Sequence, residues 1–384
     1  MVVFGGFAMI KYARWAEALN QINIKSVTLV PSILHINSRG DWDKIWLDFA
    51  PSWIPGRSLR RILAPALAWF WVLRNARVIC TPVGGISFFT WVGLDRLELW
   101  LLRKKGIHTV AICGGGDAYA LGSMRDPSLR HALQSSYPDR ARIHRQIAKK
   151  VRIWEERADV FMADKMVVDG IARSDVITPY CAAVNVSLTT PAMETLFDGQ
   201  NGEVRILHVP NHRYFKGTEF LIRAVQNLQQ EGLRVNLRIL ERTQNKVVLE
   251  QIEASDIVVD QLIISGYGTF ALEAMSLGRA VICNLENRDF YNLFARYSFL
   301  AECPVVSASP ENIELVLRSL VSDPIRRSEL GVKGNLYAKK WHSYEAWQEL
   351  WQMFESLNFD GNEIVKRNFY HPLQTTKYSE RIIK

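Results

Sequence analysis

Short apolar runs alternate with amphipathic segments along this chain, and glycines stand between them. "VVF" passes through "GG" into "FAMIKYARWAEALNQIN", and "SVTLV" follows. A strand, a turn, a helix and a second apolar strand call for a parallel sheet, because parallel neighbours need a helical crossover. The rhythm persists. Helical stretches around 59–74, 91–104 and 140–157 precede "ARVICTP", "HTVAICGGGD" and "ADVFMAD". The expected fold class is therefore α/β.

The alternation restarts after residues 186–203, "VSLTTPAMETLFDGQNGE", a polar, turn-rich stretch read as the linker. "EVRILHVP" opens a second unit. Helix "TEFLIRAVQNLQQEG" sets Phe220, Leu221, Ala224, Val225 and Leu228 on one face and stops at Gly232. "SASPENIELVLRSLVSDP" reads as a helix capped by Ser309, with Pro310 in its first turn and Pro324 closing it. A last helix over 335–357 carries Trp341, Tyr344, Trp347, Trp351 and Phe354 and is expected to cross back to the N-terminal domain. Residues 358–384 read as a polar tail. Two doubly wound domains, 1–185 and 204–334, predict a central cleft with ligands at the carboxyl ends of the strands.

Composition narrows the partners. The formal charge is +8, which favours an anionic ligand or surface. The five cysteines form no C-x-x-C pair, and three of them end apolar runs, so they are expected reduced, with no zinc site. The start, "MVVFGGFAMIKYARW", lacks the charged region and cleavage site of a signal peptide. The longest uncharged apolar run, 62–73, is too short to span a bilayer. A cytoplasmic protein is expected, with peripheral contact at the inner face of the cell membrane as an option. Segment 56–77 mixes five arginines with a Trp-Phe-Trp cluster. It reads either as a helix lying on an anionic membrane or as a core helix with arginines at its exposed ends. The second reading is preferred here, and Pro65 is expected in the helix's first turn. None of the common nucleic-acid recognition motifs appears, so nucleic acid is not an expected partner.

"SGYGTFALEAMSLGRAVICN", residues 265–284, concentrates the chemistry. Glycines lead into a short helix holding one acid, Glu273, and a buried strand follows. "HVPNHRYFKGTEFLIRAV" adds Lys216 beside a glycine. Together these stretches resemble the donor domain of retaining, GT-B-fold glycosyltransferases of family four. That family pairs a lysine–glycine helix start with two glutamates eight positions apart, running into "EAM..G.PVI". The resemblance covers about 204–350 well and the first half loosely. It implies two Rossmann-like domains: an acceptor-binding one first, a nucleotide-sugar-binding one second.

The resemblance implies residue roles. Glu273 would accept hydrogen bonds from the ribose hydroxyls, since a carboxylate offers two oxygens to a vicinal diol. Its other reading is an acid favoured near a helix N-terminus by the dipole. Lys216 would neutralise the leaving diphosphate, with Arg213 as a second cation. Gly266, Tyr267, Gly268 and Thr269 would hold phosphate at the helix start. Gly5 and Gly6 would form the first domain's loop towards the phosphates. Asp117, in "GGGD", would contact an acceptor hydroxyl. Ser265 stands where the family has its first glutamate, which contacts the donor sugar. Serine carries no charge, so the chain reads either as an active transferase with altered chemistry or as an inactive homologue serving as a binding subunit. Asp260 is a possible replacement charge, or a solvated strand-end acid. His208 reads as structural and His212 as a cleft-lining candidate. No metal or cofactor is expected: Lys216 supplies a cation, and a D-x-D metal pair is not anticipated. The donor would be a nucleoside diphosphate sugar, and the acceptor a glycan or a lipid-linked sugar.

Overall fold

The computed structural model describes residues 1–34, 37–54, 56–115, 118, 120–164, 170–178, 184–186, 197–286 and 302–369. Its contacts divide into two compact units.

The first unit holds a seven-stranded parallel sheet in the order β3-β2-β1-β4-β5-β6-β7. The strands are β1 (Val2–Gly5), β2 (Ser26–Val30), β3 (Lys44–Ile45), β4 (Val78–Pro82), β5 (His108–Cys113), β6 (Val160–Asp164) and β7 (Val176–Thr178). Between them run α1 (Ile10–Gln21), α2 (Arg57–Asn75), α3 (Asp95–Lys104), α4 (Pro127–Ser136), α5 (Pro138–Arg142) and α6 (His144–Arg157). The strand order reverses between β1 and β4. Gly5 and Gly6 lie at that reversal, and backbone packing explains both. A Cβ on Gly5 would meet the Leu29 carbonyl oxygen at 2.0 Å, and one on Gly6 would meet the Gly85 oxygen at 2.1 Å. Gly6 also has φ +87°, a region that favours glycine.

The second unit holds a five-stranded parallel sheet, β12-β11-β10-β8-β9. Its strands are β8 (Val204–His208), β9 (Val235–Ile239), β10 (Ile257–Val259), β11 (Ala280–Cys283) and β12 (Val306–Ser307). Its helices are α7 (Arg213–Lys216), α8 (Thr218–Gln230), α9 (Asn245–Glu253), α10 (Thr269–Ser276), α11 (Ile313–Val321) and α12 (Pro324–His342). The inward stripe of α8, Leu221, Ala224, Val225 and Leu228, packs with Val204, Ile206 and Leu317 in one core; Phe220 is exposed.

The units do not follow a single cut in the chain. Residues 125–138, with α4, belong to the second unit, and residues 345–384 to the first. The expected last helix is two helices, α12 and α13 (Tyr344–Ser356), because Ser343 adopts an extended backbone between them. On α13, Trp347 stacks on Trp15 of α1 with ring centroids 4.1 Å apart, and Trp351 packs on Phe4 of β1. The expected polar tail is partly structured. Helix α14 (Gly361–Phe369) buries Ile364, and Phe359 stacks on His108. Residues 187–196 of the expected linker lie outside the described residues.

Three helix starts differ from expectation. α11 begins at Ile313, since Ser309 donates its backbone N–H to the Asn312 side chain and holds a turn first. Pro324 opens α12, where the Asp323 side chain caps Arg326 N–H. Pro65 lies inside α2 rather than in its first turn, because the helix starts at Arg57.

Candidate functional site

In the second sheet the order reverses between β8 and β10, since β9 lies on one side of β8 and β10, β11 and β12 on the other. The crevice at such a reversal, beyond the carboxyl ends of the strands, is where open α/β sheets take ligands. The segment after β8 brings Lys216 there, and the segment after β10 brings Asp260 and Gln261.

Lys216 is buried. Its ammonium donates to Asp260 Oδ1 at 2.5 Å and to Gln261 Oε1 at 2.9 Å. Asp260 is no solvated strand-end acid. It is fully buried, and its second oxygen accepts the Gly268 N–H at 2.7 Å. Gln261 donates in turn to the Gly266 carbonyl. One ion pair therefore holds both ends of the 260–268 turn. Gly266 supplies the turn's left-handed residue, with φ +93°. Gly268 and Thr269 open α10.

Tyr267, expected to hold phosphate at the helix start, turns its side chain inward. Its ring is wholly buried, and its hydroxyl meets Tyr337 Oη at 2.6 Å and His342 Nε2 at 3.0 Å.

Glu273 sits in the second turn of α10, beyond the reach of the helix N-terminus, so the dipole does not explain it. It is 5% exposed, and its Oε1 accepts from Asn245 Nδ2 at 3.0 Å. Asn245 opens α9. Its role escaped the sequence reading, and no local motif marks it.

Ser265 donates to Asn284 Oδ1 at 3.1 Å. Asn284 also accepts from Glu286 N–H and donates to the Leu262 carbonyl, so it ties the ends of β10 and β11 together. A cavity of about 540 Å³ opens beside them, lined by Ser265, Asn284, Glu286, Arg213, Glu219 and Asp126 among others. Neither Lys216 nor Glu273 lines it. Arg213 is held by Glu219 at 2.7 Å and approaches Glu241 at 3.9 Å.

The two histidines part company. His208 is buried, with Nδ1 donating to the Val259 carbonyl at 2.8 Å and Nε2 accepting from the Thr218 hydroxyl at 2.9 Å. Burial pushes it down to about 4, so it stays neutral and joins β8 to β10. His212 lies half-buried against Tyr137, with ring centroids 4.3 Å apart, and does not line the cavity.

Asp117 lies outside the described residues. A D-x-D spacing does occur, against expectation, at Asp41-Trp42-Asp43. Both acids serve the backbone: Asp43 accepts from Thr28 N–H and its hydroxyl, and Asp41 accepts from Ser38 N–H. Among the described residues no group of three or more His, Cys, Asp or Glu could hold a metal ion.

No protein-family model matches the sequence, and no curated protein matches it either. Solved structures do resemble the fold. Sucrose-phosphate synthase from Thermosynechococcus elongatus superposes with a TM-score of 0.58 at 14% identity, over 93% of this chain and 98% of that one. WaaG, a glycosyltransferase involved in lipopolysaccharide biosynthesis, superposes with a TM-score of 0.52 at 15% identity, over 91% and 98%. A variant of TarM from S. aureus, in complex with Fondaparinux, alpha-GlcNAc-glycerol and UDP, gives 0.50 at 13% identity, over 77% and 58%. At such identities the likeness concerns architecture: two doubly wound parallel α/β units, the GT-B fold.

Proposed function

We propose that the chain is a glycosyltransferase that moves a sugar, with retention, from a nucleoside diphosphate sugar to a glycan or lipid-linked acceptor. Cell-surface polysaccharide or glycolipid assembly is the setting that suits it. The observation that carries the reading is the pair formed by Glu273 and Asn245, a buried carboxylate and amide from two helices of the unit whose strand order reverses between β8 and β10. A carboxylate has about four acceptor positions on its two oxygens, so it can take a ribose hydroxyl alongside the Asn245 amide.

In this reading the diphosphate lies over the 266–269 turn. Lys216 spends two of its three N–H donors on Asp260 and Gln261, and the third is the one offered to phosphate. Arg213 reaches phosphate by exchanging its carboxylate partners. The sugar occupies the neighbouring cavity, where Ser265 and Glu286 meet hydroxyls. Charge on the departing diphosphate is met by these cations, with no metal and no cofactor. Asp117 and the loop of Gly5 and Gly6 keep the acceptor and phosphate roles that the resemblance implies.

A second reading rests on Ser265. With a hydroxyl where the resembling family has an acid, the chain binds a nucleotide sugar without transferring it. Calorimetric titration with the uridine, guanosine, adenosine and cytidine diphosphates and their sugars tests the site, and a donor-turnover assay separates the two readings. Saturable binding of at least one diphosphate, weakened in Glu273→Ala, is the expected result. Absence of binding across the panel overturns both.

A further inference from the structure

Helix α2 has an apolar stripe too many. Its inward face, Ala64, Ala68, Trp69 and Val72, packs into the first unit's core with Val3, Ile79 and Leu102. A helix on a sheet needs one such stripe, and the opposite side is ordinarily polar. Here Leu59, Ile62, Leu63, Leu67 and Phe70 recur at helical spacing on the solvent side, with Ile62 72% and Phe70 67% exposed. The reading of 56–77 as a core helix with arginines at its ends covers only half of it. Further along the chain Val92 and Trp100 are exposed as well, and so is Trp53 before the helix.

Charge along this segment of the chain is one-sided. Residues 49–107 contain nine arginines and lysines and only two acids, Asp95 and Glu98. Both acids are buried: Asp95 accepts from Trp154 Nε1, and Glu98 from Ile86 N–H. The segment therefore presents cations and apolar side chains with no exposed carboxylate among them. Arg61, near the start of α2, and Arg74, in its last turn, are exposed.

We propose that this face of the first unit, centred on Ile62 and Phe70 and flanked by Arg61 and Arg74, lies on a bilayer surface bearing anionic lipid headgroups. An in-plane helix that sinks an apolar stripe and leaves arginines at headgroup level is the geometry of interfacial attachment. Arginine stems let the charge stay at the headgroups while the side chains beside it sink. No helix among the described residues is long and apolar enough to cross a membrane, so attachment is by this face. A second copy is the poorer occupant, because a two-fold contact would set the same arginines against each other. The inference stands apart from the transfer reading, since attachment requires no donor.

Co-sedimentation of the full chain tests it. One vesicle set is phosphatidylcholine alone; the other mixes phosphatidylcholine and phosphatidylglycerol two to one. The expected result is binding to the mixed vesicles that high salt weakens. The Ile62→Gln/Phe70→Gln variant should partition at least about tenfold less. Arg61→Gln/Arg74→Gln should lose about fivefold per charge on the mixed vesicles only. Circular dichroism confirms that each variant is folded; should the apolar pair fail that check, the arginine pair carries the test. No binding to mixed vesicles by the unaltered chain overturns the proposal. So does equal binding by the folded variants. Self-association in light scattering that Ile62→Gln/Phe70→Gln abolishes, without vesicle binding, assigns the face to a second copy instead.

Discussion

The Lys216 ammonium and the Asp260 carboxylate meet at 2.5 Å, with both side chains buried beneath the turn that opens α10. A residue expected to read phosphate from the surface is thus also part of the framework. Removing either partner strands a buried charge, which costs about 3–5 kcal/mol.

Lys216→Met and Asp260→Asn should each lower the urea midpoint, while the double variant loses much less than their sum. A Lys216 variant that keeps full stability would show that the pair does not hold the turn. Nucleotide affinity in Lys216 variants is therefore to be compared only on protein verified as folded.

Glu273 offers the cleaner probe of the nucleotide. Glu273→Ala should weaken nucleoside diphosphate binding by about tenfold, equivalent to ~1.4 kcal/mol. Glu273→Gln, which keeps shape and one acceptor, should lose less. The loss should persist for the nucleoside without phosphates. Calorimetry gives each value, and unchanged affinity in both variants removes ribose from this site.

Restoring an acid at Ser265 should not restore the resembling family's site. Ser265→Glu replaces the donor to Asn284 Oδ1 with an acceptor and buries a charge beside it. The expected cost is about 1–3 kcal/mol in stability, read by urea denaturation. A stable and more active Ser265→Glu protein would contradict this.

Two buried groups give opposite pH slopes. Burial pushes Glu98 up to about 7 from 4.5. Its contribution is full below the unfolded value and is lost as pH rises through about 7. Glu98→Gln keeps an acceptor for Ile86 N–H and should flatten the stability profile between those values. His208 is pushed down to about 4 from 6.5. Its contribution is present above the unfolded value and is lost as pH falls through about 4. His208→Gln should remove that acid-side slope. Urea midpoints measured across pH check both signs.

What the sequence disclosed was local. The apolar runs at β1, β2, β8 and β11 declare buried strands, and glycine at 266 declares a turn that requires positive φ. What it hid was long-range. Asp260 reads the same whether it is solvated or buried, because its partner lies 44 residues away. Tyr267 in a glycine turn does not say where its side chain lies until Tyr337 and His342, 70 and 75 residues on, claim its hydroxyl. Asn245 reads as an ordinary helix opener; only the fold sets it against Glu273. The outward stripe of α2 was visible as hydrophobicity, but a periodicity cannot say which of two apolar faces meets the sheet.

The stack of Trp347 on Trp15 has a bearing on inheritance. A chimaera that joins the first 185 residues of this chain to the remainder of a relative would pair Phe4 and Trp15 with a foreign C-terminal helix. The first unit is built from residues up to Thr178 and again after Tyr344, so its swappable module is discontinuous. Recombination that exchanges the second unit while sparing the fold must replace internal segments and return to the original chain at about Tyr344.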